Sequence, residues 1–250
     1  MKQTRLIMGM PITVEIVGAS ATDDVFAAVF DYFVSVDERF STYKETSEIT
    51  KINNGLIGEA DYSEDMKLVF ALSEETKRLT HGYFDIRGRD GKIDPSGLVK
   101  GWSIYHAARI LKKKGCRNFF IDAGGDIEAF GKNERGEVWN VGIRNPFNEK
   151  EIVKVVYLKD QGIATSGTYI RGQHIYDPFA KDRLITNVVS LTVIGPNVYE
   201  ADRFATAAFA MGKAGISFIE QLPGFEGYMI DKDGIATMTS NFENYTKAPV

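Results

Sequence analysis

Carboxylate, hydroxyl and amine side chains gather in four clusters of this 250-residue chain. In the first, Asp94-Pro95-Ser96-Gly97-Leu98-Val99-Lys100-Gly101, an aspartate and a lysine flank a turn that leads into a helix. The unpaired amides of such an entrance favour an anion such as a phosphate; a plain turn with an exposed lysine accounts for the same residues. The second, Asp122-Ala123-Gly124-Gly125-Asp126, puts paired glycines directly after a strand, where the backbone can turn tightly or approach a ligand. It matches neither the GxGxxG nor the P-loop pattern. The third joins Ala164-Thr165-Ser166-Gly167-Thr168-Tyr169 to His174-Ile175-Tyr176-Asp177-Pro178. Alternation along a strand puts His174 and Tyr176 on one face and Asp177 on the other. Of three histidines His174 alone stands among hydroxyls and a carboxylate, the setting for proton transfer. In the fourth, Asp202 and Thr206 lie four apart and project from one helical face, offering two oxygens to a hard cation. A dipole-stabilised aspartate beside a solvent-facing threonine reads equally well.

The elements that must hold these clusters follow from periodicity. Residues 5–17 read as an entering strand, and Val25, Phe26, Val29, Phe30, Phe33 and Val36 recur at helical spacing behind a Thr22 or Asp23 cap. Residues 39–60 mix Ser, Thr, Asn and Gly without a period and read as loop and short turns. A second helix starts at a Ser63 cap and closes at Lys77, Arg78 and Gly82. A third spans residues 99–114, with Lys112-Lys113-Lys114 and Gly115 as its cationic end and cap. Strands are expected at 118–123, 138–144, 152–158, 162–165, 188–194, 228–230 and 235–238, with one Ala-rich helix over 197–211. Early helices followed by late strands predict an α+β fold, one compact unit over 1–250 with a mixed or antiparallel sheet and flanking helices.

Composition narrows the function. Thirty Lys and Arg against 34 Asp and Glu give a net charge of −4, without the basic excess of a general nucleic-acid binder. The only cysteine, Cys116, excludes an intramolecular disulfide and a CxxC metal site. The opening MKQTRLIMGMPI has no signal-peptide pattern and no stretch approaches a membrane span, so the expectation is a cytoplasmic protein without a membrane anchor.

Taken in order, Met8-Gly9-Met10-Pro11, Phe40-Ser41-Thr42-Tyr43 with Ser47-Glu48 and Asn53, Gly82-Tyr83-Phe84-Asp85, Asp94 to Gly101, Ala123-Gly124-Gly125-Asp126, Ala164-Thr165-Ser166-Gly167, His174 to Pro178, and Ala201-Asp202 to Thr206-Ala207 closely resemble the ApbE family, the FAD:protein FMN transferases. The resemblance spans residues 8 to about 212. It implies a Mg²⁺-dependent cleavage of the FAD pyrophosphate that moves FMN to a threonine or serine hydroxyl of an acceptor flavoprotein and releases AMP. By the same resemblance Asp202 and Thr206 would ligate Mg²⁺, with backbone oxygens of Gly97 and Ala205; Lys100 would meet the pyrophosphate and Asp94 the adenine side. Met8, Tyr43, Tyr83, Phe84, Asp85 and Tyr176 would line the FAD site. His174 is the residue expected to activate the acceptor hydroxyl, with Asp177 orienting it or acting in its place. Against the family pattern, the expectation is a chain without an exported, lipid-bearing leader; only eight residues separate Asp85 from Asp94, and Ala205 stands where some relatives carry a carboxylate. The alternatives are a FAD pyrophosphatase giving FMN and AMP, and a flavin-binding protein without chemistry.

Overall fold

The chain opens on a hairpin. In this computed structural model, which describes residues 1–88, 90–167, 177–180 and 184–248, β1 (Lys2–Ile7) and β2 (Met10–Ile16) pair antiparallel from Lys2 opposite Glu15 to Ile7 opposite Met10. The single strand expected over 5–17 is therefore two. Met8 (φ 55°) and Gly9 (φ 71°) form the turn between them, and two successive positive φ values suit the twist of a two-residue hairpin.

Helices follow: α1 (Asp23–Phe40), α2 (Glu48–Asn53), α3 (Glu64–Leu79) and α4 (Ser96–Lys113). Seven apolar side chains of α1, from Val25 to Phe40, are buried; each contributes about 1.5–3 kcal/mol of transfer free energy. The stretch expected as loop over 39–60 contains α2, whose Ser47 cap accepts from the Thr50 amide at 3.1 Å. Six residues are too short to show a helical period, so only the cap marks this helix. The Ser63 cap of α3 forms as expected, accepting from the Met66 amide. Thr22 occupies the cap position of α1 without a side-chain hydrogen bond.

The remainder alternates between strands and two helices: β3 (Phe119–Ala123), β4 (Asp126–Phe130), β5 (Trp139–Asn145), β6 (Asn148–Leu158), β7 (Gln161–Gly167), β8 (Val188–Gly195), α5 (Val198–Ala210), α6 (Gly215–Glu220), β9 (Glu226–Asp231) and β10 (Ala236–Met238). Among the described residues eight strands make one sheet in the order β1-β2-β3-β4-β7-β8-β9-β10, every neighbouring pair antiparallel, while β5 and β6 form a separate hairpin. One sheet face packs on α1 and α4 through Ile12, Val14, Phe119 and Ile121, and on α5 through Ala164, Leu191 and Val193. Cys116 lies in the first of these clusters, fully buried. The opposite face, with Ile127, Ala129, Ile163 and Ile230, is covered by Trp139, Val141, Val156 and Leu158 of the β5–β6 hairpin.

Like α2, the elements β4 and α6 were not expected from periodicity. Asp126 and Glu128 interrupt the apolar pattern of β4, yet both are buried because each has a partner inside the fold.

One close contact sets how the start of α5 meets the sheet. A Cβ on Gly162 of β7 would lie 1.9 Å from the Val198 amide nitrogen and 2.3 Å from the Asn197 carbonyl carbon. Only a residue without a side chain lets the start of α5 sit on the sheet. Gly162→Ala should therefore lose about 3 kcal/mol of stability, at the upper end for overpacking, read as a lowered urea midpoint at unchanged slope.

Candidate active site

A cleft of about 1440 Å³ opens where the ends of β3, β4 and β7 meet the start of α4 and one side of α5. One end of it is built from two pairs of residues spaced i, i+4. Gly97 and Gly101 on α4 face Thr206 and Asp202 on α5. The Gly101 amide donates to Asp202 Oδ2 at 2.7 Å, and the Thr206 hydroxyl donates to the Gly97 carbonyl at 3.3 Å. The approach is closest at Gly101, where a Cβ would stand 2.6 Å from Asp202 Cβ, and tight at Gly97, where one would stand 3.1 Å from Thr206 Cγ2. Ser166 Oγ on β7 lies 3.5 Å from Thr206 Oγ1.

Asp126 completes this end. Its carboxylate is 1% exposed; Oδ1 accepts from the Thr165 amide at 3.1 Å, and Oδ2 lies 2.7 Å from Lys100 Nζ, an ion-pair distance without hydrogen-bond geometry. Asp202 is also buried, and its carboxyl is held above the usual carboxylate range by burial first and by the neighbouring Asp126 charge second, with Lys100 opposing. Asp122, on the cleft floor, is likewise raised by burial, although it accepts from the Gly125 amide at 2.8 Å.

Oxygen dominates the donor set. A buried carboxylate, two hydroxyls and a peptide carbonyl, beside a second carboxylate with one oxygen lacking a hydrogen bond, match the preference of Mg²⁺ for hard ligands. The residues present fit that ion through hydroxyl and carbonyl oxygens beside the carboxylates, since among the described residues no three His, Cys, Asp or Glu side chains cluster as a metal site.

The rim is organised by side chains that imitate backbone. Asn53 donates to the Ile93 carbonyl at 2.9 Å and accepts from the Ile93 amide at 2.8 Å, fixing the segment before Asp94 to α2. Asp94 itself is exposed and accepts from the Ser96 amide. Asp85 is paired with Lys77 at 2.7 Å, Phe84 is buried, and Tyr83 meets the ring of Phe179 edge-on at 4.9 Å. Asp94, Gly97, Lys100, Tyr83, Phe84, Asp85, Asp202 and Thr206 thus all reach the same cleft.

Among the described residues, Met8, Tyr43, Ala205 and Asp177 do not line the cleft. Met8 packs between two apolar clusters while its neighbours Gly9 and Met10 line the cleft. Tyr43 is 97% exposed, and Thr42 takes the lining position. The side chain of Ala205 belongs to the core around α5. Asp177 accepts from the Phe179 amide at 2.9 Å, and the adjacent Pro178 lines the cleft. His174 and Tyr176 lie outside the described residues.

The functional groups without an expected role are Asp126, Glu128 and Arg203. Glu128 accepts from the Val198 amide at 2.7 Å and anchors the start of α5. Arg203 is buried between Glu200, Thr76 and the ring of Tyr199. The signal for Glu128 was a lone carboxylate between Ile127 and Ala129, a pattern that demands a buried partner.

An antiparallel sheet flanked by helices, with oxygen-bearing side chains and a lysine gathered at one end of a large cleft, defines an α+β protein. The ApbE family model matches residues 8–90 and 87–229, and the chain belongs to the ApbE family. It is 31% identical over 151 residues to the FAD:protein FMN transferase of Escherichia coli K12, a match that covers 57% of this chain and 43% of that protein. It is 32% identical over 130 residues to the enzyme of the same name from Vibrio cholerae, covering 48% and 39%. The matched segment therefore spans less than half the length of these curated relatives. In fold, the crystal structure of the ApbE protein from Thermotoga maritima superposes with a TM-score of 0.88 at 20% identity over 99% of both chains, and the flavin transferase ApbE from Vibrio cholerae with 0.85 at 22% over 98% of both.

Burial raises the Glu128 carboxyl from its ordinary value near 4.5 to about 7. Because the folded value is the higher, this group's contribution to stability is complete below pH 4.5 and is lost as pH rises through 7. Glu128→Gln keeps an acceptor for the Val198 amide and removes the titration. The difference in unfolding free energy between variant and parent should shift in the variant's favour between pH 4.5 and 8, by up to about 3 kcal/mol; a difference independent of pH would show that Glu128 is charged in the fold.

Proposed function

We propose that this chain is a flavin transferase that moves FMN from FAD to a threonine or serine hydroxyl of an acceptor flavoprotein, with Mg²⁺ as cofactor. The observation that carries this reading is the juxtaposition of Asp202, Thr206 and the Gly97 carbonyl with the Lys100–Asp126 pair at one end of a cleft of dinucleotide size. The printed names of the relatives in Escherichia coli and Vibrio cholerae support it.

In this reading Asp202, Thr206 and the carbonyl of Gly97 hold Mg²⁺, with the Ala205 carbonyl as a further oxygen. Bound there, the ion offsets pyrophosphate charge and polarises its oxygens. Lys100, kept in place by Asp126, adds a second positive charge against the same group. Tyr83, Phe84 and Asp85 border the flavin, and Asp94 the adenine side. Met8, Tyr43 and Tyr176 are assigned to the same FAD site from their motif positions. The acceptor oxygen forms a bond to the FMN phosphorus as the bond to the AMP oxygen breaks, and AMP leaves with that electron pair. His174 takes the hydroxyl proton, with Asp177 orienting it or acting in its place. A general base is required because an alcohol is almost wholly protonated near neutral pH.

Soluble, cytoplasmic acceptor flavoproteins are the partners proposed. No described helix is long and apolar enough to cross a membrane.

The test is intact mass spectrometry of an acceptor domain incubated with the protein, FAD and Mg²⁺. An added FMN that disappears under chelation is expected. Asp202→Asn should retain the fold and lower transfer by at least about a hundredfold, the scale of losing one preorganised electrostatic group. His174→Ala should slow transfer about 10²–10⁴-fold with FAD affinity little changed. Free FMN and AMP without an adduct would instead mark a pyrophosphatase, and intact FAD a binding protein.

A further inference from the structure

Strand β5 meets the cleft with its edge. Side chains alternate between the two faces of a strand, so a strand touching a cavity through one face contributes every second residue. Asn140, Val141, Gly142, Ile143 and Arg144 line the cleft in unbroken succession. The pairing agrees: among the described residues β5 is hydrogen-bonded along one side only, to β6, whereas β6 also packs against the turn Phe242–Thr246. Such an edge presents alternate amides and carbonyls to whatever enters.

Its surroundings select the visitor. Across the hairpin Val155 stands opposite Gly142 and Ile152 opposite Arg144, and both apolar side chains are more than two-fifths exposed within the same cleft. Gly142 puts no side chain of its own there. Arg144, exposed at the end of this row, adds a positive charge. The cleft, at about 1440 Å³, also exceeds the range of about 300–1,000 Å³ over which a pocket encloses a single drug-sized molecule.

We infer that the acceptor polypeptide docks as an added strand along the free edge of β5. This rests on the flavin-transfer reading, which requires a hydroxyl from a second chain to reach this cleft. Backbone hydrogen bonds to β5 hold the segment extended, alternate apolar side chains cover Ile152 and Val155, and an acidic residue meets Arg144. Recognition of this kind takes affinity from the main chain and specificity from alternate side chains.

The probe is the acceptor domain of the mass assay with its target threonine changed to valine, so that it binds without reacting. Hydrogen exchange of the FAD-loaded protein is followed with and without it. The amides of residues 140–144 should exchange at least about tenfold more slowly with the probe present. In parallel, Arg144→Glu should raise the KM for the unaltered acceptor about tenfold, equivalent to about 1.4 kcal/mol, while the KM for FAD stays within about twofold. If FMN is transferred but exchange at 140–144 is unaffected by the probe, or is already slow without it, strand addition at β5 is wrong and flavin transfer stands. If no adduct forms on any threonine acceptor, both readings fall.

Discussion

The crossing of α4 over α5 is the contact on which the site depends. Two glycines on one helix face two oxygen-bearing side chains on the other, and each pair is spaced by a single helical turn. Backbone and side chain consequently approach closely enough for Asp202 and Thr206 to bond α4 directly. The same crossing directs Lys100 toward Asp126, since Lys100 immediately precedes Gly101. From the opposite side Gly162 admits the start of α5 to the sheet and Glu128 accepts its first amide. Helix α5 is thus pinned at three glycines and one carboxylate.

This economy of side chains explains how so many ionisable groups can be buried together. Asp126, Glu128, Asp202 and Arg203 would each destabilise an apolar interior if unpaired. Here each has a backbone amide, a lysine or a carboxylate within bonding distance. The residual strain is electrostatic: Asp126 and Asp202 repel one another with one lysine beside them. A divalent cation held there, as proposed, would relieve that repulsion, whereas hydrophobic packing cannot.

Much of this was legible in the chain and some was not. The i, i+4 spacing of Asp202 and Thr206, the helix entrance at Asp94 to Gly101 and the paired glycines each announce themselves locally, and the cleft gathers all three. Long amphipathic elements such as α1 and α3 were equally plain. Short elements escaped: α2 has too few residues to show a period, and β4 carries acids that only tertiary partners make tolerable. The turn at Met8 and Gly9 was masked because apolar residues continue on both sides of it. Aromatic positions were the least certain, since Tyr43 and Tyr83 look alike in sequence yet one projects into solvent and the other packs at the rim.

The burial of Cys116 has a practical side. A thiol enclosed by Ile104, Leu111 and Phe119 in the helix-covered core is out of reach of alkylating reagents and fluorescent maleimides while the protein is folded. A cysteine introduced on the surface can therefore be labelled alone, with the native residue left in place. Cys116 itself becomes an internal clock, since its rate of modification reports how often the core opens.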